Sequence, residues 1–172
     1  IESLTTLKTL NVDTNQLSTL DALDGLSALT TLTSSTNQIT DLTPLTSLSQ
    51  LEIFRIDTNQ VTTLEPLTGL TSLKELSFTR NQISDLSPLS GLTSLEKLTL
   101  AANQVTDLTP LSALPLTLLN ASSNQITDLT PLAATTTLTS LSVSNNPLTS
   151  LDPIANLNLS ELRVAGKVLT DG

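Results

Sequence analysis

Carboxylates and hydroxyls recur in this chain at fixed intervals, and the chemistry open to them depends on whether they converge. Asp41, Asp85, Asp107, Asp128 and Asp171 lie at multiples of one interval of 21–22 residues. One position before this row runs a hydroxyl column: Ser18, Thr40, Thr62, Ser84, Thr106, Thr127, Thr149 and Thr170. Converging carboxylates collect calcium, which takes about six to eight oxygens from closing loops. The usual Gly-containing acidic loop is absent, and Thr19, Thr63 and Ser150 interrupt the row, so solvated turn carboxylates are the better account. Hydroxyls stacked about 4.8 Å apart can template ordered water, which is what ice binding or adhesion to a hydroxylated polymer would use. Bonding of turn backbone is the simpler use of the column.

Catalysis has little footing. There is no His or Cys to act as base or nucleophile, and no Gly-rich loop to cradle phosphate. A pair of carboxylates can hydrolyse a glycoside, but that needs a groove and usually aromatic platforms, and only Phe54 and Phe78 are aromatic. The chain reads as a non-enzyme without cofactor or metal. Its net charge of −9, with only seven Lys plus Arg, excludes a counterion-releasing nucleic-acid groove. An anionic membrane surface repels such a chain, and no apolar run approaches spanning length. Lack of Cys suits either redox compartment.

The element that must position these columns is marked by asparagine. Asn15, Asn37, Asn59, Asn81, Asn103, Asn124 and Asn146 recur at spacings of 22, 22, 22, 22, 21 and 22, all but the last followed by Gln. A self-similar period of this size means stacked units that share one continuous core. Counted from Asn103, apolar residues fall at −8 (Leu95), −5 (Leu98), −3 (Leu100), +2 (Val105), +5 (Leu108), +8 (Leu111) and +11 (Leu114). The alternation Leu98-Thr99-Leu100 predicts a short strand, and the later three-residue spacing predicts extended turns or a 3₁₀ segment. Pro44, Pro66, Pro88, Pro110, Pro131 and Pro153 follow Thr43, Glu65, Ser87, Thr109, Thr130 and Asp152. That order predicts N-cap chemistry ahead of proline at a first helical position. The Asn sits where the chain leaves the strand and bends inward. Its carboxamide carries donors and an acceptor for backbone groups exposed by the bend.

The phrase L-x-x-L-x-L-x-x-N-Q-[IV]-[ST]-[DT]-L-x-P-L-x-x-L resembles the 22-residue leucine-rich repeat of bacterial internalins and SDS22-like proteins, over essentially all of residues 1–172. The resemblance implies a single α/β solenoid domain of about eight repeats: a right-handed horseshoe with a parallel sheet on its concave face and 3₁₀ turns on its convex face. It also implies ligand binding by concave-face side chains. Departures are few. Ala22 replaces the first Pro, Ser34 and Thr135 occupy inward positions, and Pro147 replaces Gln. One residue is deleted at Leu114-Pro115-Leu116 and again at Leu157-Asn158-Leu159, and Lys167 stands where an eighth Asn belongs. Neither end shows the family's caps, so the chain reads as a segment of a longer protein, with end-to-end self-association as one consequence.

Outward strand residues are expected at −6, −4 and −2 from each Asn. Most are Ser, Thr or Asn, but the middle of the array gathers Ile53, Arg55, Asp57, Glu75, Lys97 and Thr99, the candidate binding patch. Alternating charges across an exposed sheet also serve solubility. Leu118 falls outward on this register, either as an anchor or, after the deletion near Pro115, turned into the core. The expectation is a rigid binding or adhesion module, extracellular or on a bacterial surface, taking a protein or glycan on its concave face. The alternatives are a structural stalk or end-to-end assembling unit, and ice binding through the Thr and Ser rows. An intracellular SDS22-like scaffold is a further option, since no localisation signal is visible.

Overall fold

Alternating apolar residues, met once per repeat, give one short strand per repeat. The computed structural model describes residues 4–166, so Lys167, Leu169, Thr170 and Asp171 lie outside the described residues. The strands are β1 (Thr9–Asn11), β2 (Thr31–Thr33), β3 (Ile53–Arg55), β4 (Glu75–Ser77), β5 (Lys97–Thr99), β6 (Leu118–Asn120), β7 (Ser140–Ser142) and β8 (Glu161–Arg163). They form one parallel sheet in sequence order, each strand bonded to the next repeat's strand. A three-residue 3₁₀ turn follows each of the first seven strands, from Asp21–Leu23 to Asp152–Ile154. The helical layer among the described residues is therefore 3₁₀ throughout.

Parallel strands need a long crossover, and each repeat's return limb supplies it. Every apolar position of the Leu95–Leu114 unit is buried, Leu95, Leu98, Leu100, Val105, Leu108 and Leu111 completely. The regular strand begins one residue earlier than the apolar alternation marks, at Lys97 in place of Leu98. Hydrogen bonding to the next repeat defines it, and Lys97 pairs with Leu118 and with Glu75. Both deletions leave the sheet register unchanged, since Leu118 pairs Lys97 and Glu161 pairs Ser140. The missing residue is absorbed in the loop entering the strand, so Leu118 stays on the concave face and Leu116 and Leu119 fill the core.

The two inward polar substitutions sit differently. Ser34 is fully buried and reaches the Arg55 carbonyl at a long 3.5 Å. Thr135 is 3% exposed and its Oγ1 has no partner among the described residues. A buried hydroxyl without a partner is destabilising, so Thr135 is a weak point in the column of leucines.

Candidate functional site

The concave face is set by the asparagines behind it. The residue before each Asn, from Thr14 to Asn145, has φ of 54–58°, a left-handed bend that glycine or Asn takes readily and Thr does not. The bend is held because its N–H donates to the next repeat, as from Thr36 to the Asp57 carbonyl and from Thr58 to the Thr79 carbonyl, both at 2.7 Å. It turns the Asn side chain inward. Asn59 Nδ2 donates to the carbonyls of Ser34 (3.0 Å), Ile56 (3.2 Å) and Asp57 (3.2 Å), while its Oδ1 accepts the Ile39 N–H at 2.9 Å. Asn81, Asn103, Asn124 and Asn146 repeat this arrangement, each bridging to the repeat before it. The ladder is structural, and it fixes the strands that display the −6 and −4 columns.

Of the predicted patch, Arg55 and Lys97 are exposed, and Ile53, Asp57, Glu75 and Thr99 are half-buried. Arg55 Nε and Nη2 both donate to Glu75 Oε1, at 3.0 and 2.5 Å, and this contact raises the guanidinium above its ordinary pKa. Glu75 is Lys97's register partner but is turned to Arg55, so Lys97 makes no ion pair among the described residues. Asp57 has a framework role as well: its Oδ1 accepts the Thr79 N–H and the Ser77 hydroxyl, both at 2.6 Å. Asp13 and Ser144 do the same for Ser35 and Ala165, so the −2 column ties neighbouring repeats together. Exposed ion pairs such as Lys74–Glu52 at 2.9 Å add little stability.

Sequence reasoning did not find an open concavity of about 250 Å³ lined by Thr99, Leu118, Asn120, Ser140, Ser142, Glu161 and Arg163. Thr99 alone of the predicted patch reaches it. The signal was a contrast between repeats: β6 and β7 carry only uncharged outward residues, Leu118, Asn120, Ser140 and Ser142, between Lys97 on β5 and Glu161 and Arg163 on β8.

The convex side resolves the carboxylate row. Asp41, Asp85, Asp107 and Asp128 Oδ1 each accept the N–H two residues on, at Thr43, Ser87, Thr109 and Thr130, all at 2.8 Å. Where the row is interrupted, Thr63 and Ser150 hydroxyls take over, accepting from Glu65 and Asp152. The capping residue is thus two places before the expected one. The residues ahead of each proline are the first of the 3₁₀ turn, whose N-cap is a leucine without a side-chain bond. The hydroxyl column from Ser18 to Thr149 is exposed, flanked by Gln and Asp columns, and only Thr149 bonds turn backbone, to the Thr127 carbonyl at 3.2 Å.

Charge is segregated between the two sides. The described cations Lys8, Arg55, Lys74, Arg80, Lys97 and Arg163 all lie on the strand side, balanced there by Asp13, Glu52, Asp57, Glu75, Glu96 and Glu161. Asp21, Asp24, Asp41, Glu65, Asp85, Asp107, Asp128 and Asp152 lie on the turn side, all exposed and with no cation among them.

The caps predict an acid response. Hydrogen bonds from Thr43, Ser87 and Thr130 lower the pKa values of Asp41, Asp85 and Asp128. A lowered folded-state pKa gives stability that is complete above the unfolded value, about 3.9, and is lost as pH falls through the folded values. Relief of net negative charge works the other way, so the informative quantity is a difference. Between pH 7 and 3 the melting midpoint should fall further for the native chain than for D41N/D85N/D128N, whose amides still accept the N–H. Equal falls would remove the caps from the account.

The pattern described as Leucine Rich repeats (2 copies) matches residues 71–113 and 116–156. No curated protein matches the chain. Among solved structures, internalin C2 of Listeria monocytogenes is 36% identical with a TM-score of 0.91, over 95% of this chain and 74% of that one. The Listeria internalin inlF is 34% identical with a TM-score of 0.78, over 95% of this chain and 55% of that one. The functional domain of Listeria InlJ, described as including a cysteine ladder, is 27% identical with a TM-score of 0.70, over 96% of this chain and 45% of that one. The chain therefore spans about three quarters of the first relative and about half of the second and third.

Proposed function

The chain belongs to the internalin-like leucine-rich-repeat family, and from that premise we propose a non-catalytic binding module of a bacterial surface or secreted protein. It recognises a protein or glycan ligand through the concave sheet, in an extracellular setting. The observation that carries this reading is a fixed frame with variable display. The −5 and −3 columns are almost uniformly apolar and buried, while −6 and −4 change from Thr to Ile, Glu, Lys and Leu along the same sheet. A face held by its own ladder loses little conformational freedom on association. Arg55 and Lys97 supply the exposed charge of the central patch, and Ile53 its apolar part. The lack of His and Cys, and the engagement of four turn-side carboxylates in capping, support a role without catalysis.

The test exploits the absence of native cysteine. The chain carrying T106C, labelled at that exposed position, is applied to an array of purified extracellular protein domains and glycans. At least one feature should be retained, and R55A/K97A should weaken that retention tenfold or more while T40A/T62A leaves it unchanged. Retention insensitive to R55A/K97A but lost with T40A/T62A would move binding to the hydroxyl row. An array with no retained feature would favour the stalk.

A further inference from the structure

The geometry points to the concavity over β6 and β7 as a trough for an extended polypeptide segment that presents an aliphatic side chain beside a carboxylate. This rests on the reading of the concave sheet as the binding face, and it names the place on that face and the chemistry of the ligand.

The flanks are charged and the floor is not. Thr99 on β5 lines one bank, with Lys97, the register partner of Leu118, standing just outside it; Glu161 and Arg163 on β8, paired at 2.6 Å, form the other. The floor between them is Leu118, Asn120, Ser140 and Ser142. Three strand spacings separate the banks, about 14 Å, which is room for one extended chain with its side chains. Much of the floor is already committed. Ser140 donates to Glu161 Oε2 at 2.9 Å, and the Ser142 hydroxyl lies 2.7 Å from that of Ser122.

Three groups are left for a ligand. Leu118 is a half-buried apolar surface among hydroxyls. Asn120 uses Oδ1 to accept the Ser122 N–H, while its Nδ2 makes no hydrogen bond among the described residues, leaving a donor for a ligand carbonyl. Lys97 has no acid partner among the described residues, because Glu75 is held by Arg55. An aliphatic side chain on Leu118 and a carboxylate at Lys97 match that set. No exposed aromatic ring is available for a sugar to stack on, since both Phe residues of this chain are fully buried. The charge layout agrees: among the described residues the turn side holds acids and no cation, so an acidic segment is repelled there and meets its cations on the strand side.

The probe is a displayed library of random twelve-residue peptides, selected on the native protein. Selected peptides should share an aliphatic residue and an Asp or Glu at constant spacing. Their binding should fall tenfold or more with L118N and with K97E, and selection repeated on K97E should replace the acid with Lys or Arg. L118N changes a half-buried residue, and an unchanged circular dichroism spectrum separates lost contact from lost fold. Peptides insensitive to L118N and K97E but lost with R55A would overturn the trough while leaving the concave reading intact. Peptides insensitive to every concave change, or a library yielding none, would overturn both. A glycan retained on the array and lost with L118N would overturn the polypeptide occupant alone.

Discussion

Replacing Asn81 with alanine is expected to remove about 3–5 kcal/mol of folding stability, a large fraction of what a domain of this size has. The carboxamide donates to the Ile56 carbonyl at 2.9 Å and the Phe78 carbonyl at 3.0 Å, and accepts the Val61 N–H at 3.0 Å. The losses are unequal. Ile56 retains a donor in Asn59 and Phe78 retains one in Asn103, so each carbonyl falls from two donors to one. The Val61 N–H is left with none in a buried site, and that orphan is the largest part of the loss. Asn15 supplies the internal control. It is exposed and, among the described residues, donates only to the Val12 and Asp13 carbonyls beside it, so Asn15→Ala should cost less than about 1 kcal/mol. Asn81→Asp sharpens the test, since a carboxylate accepts the N–H but cannot donate to the carbonyls. It should lose at least as much as alanine at pH 7. Urea unfolding of the three variants gives the comparison, and a loss below about 1 kcal/mol for Asn81→Ala would show the ladder to be incidental.

Phe78→Ala should cost about 3–5 kcal/mol, because a fully buried aromatic leaves a cavity that a stacked array closes poorly. Phe78 occupies the −3 column, filled in neighbouring repeats by Ile56 and Leu100, so the site is shaped for a branched aliphatic as well. Phe78→Leu should therefore lose only about 1 kcal/mol. Leu162 is 43% exposed on β8, and Leu162→Ala should lose less than about 1 kcal/mol. Similar losses for Phe78→Ala and Leu162→Ala in thermal unfolding would mean that the middle of the array is no better packed than its last strand.

The repeat phrase made the framework legible because each of its columns answers to one physical demand. Burial selects Leu95, Leu98 and Leu100, and the inward bend selects Asn103; all four columns lie where the spacing put them. The cap was displaced because a side chain that accepts from the residue two ahead was read as one beside the proline, so Asp41 took the role expected of Thr43. The deletion at Pro115 looked able to turn Leu118 inward. Parallel pairing with Lys97 and Ser140 holds it outward, and pairing is invisible in one repeat read alone. The trough escaped for a related reason: it is a difference in charge between β6–β7 and their neighbours, which no single motif encodes. The spare charge on Lys97 likewise depends on which way Glu75 turns.

Rigid display requires that the stacked strands behave as one body, and native-state hydrogen exchange measures this directly. In the native chain, the amides of β3 to β6 should exchange with one shared opening free energy that tracks global unfolding. In Asn81→Ala, the amides before and after repeat four should separate into two groups of unequal protection. Strand amides that open repeat by repeat in the native chain, with no further division in Asn81→Ala, would contradict a concave face held rigid by its asparagines.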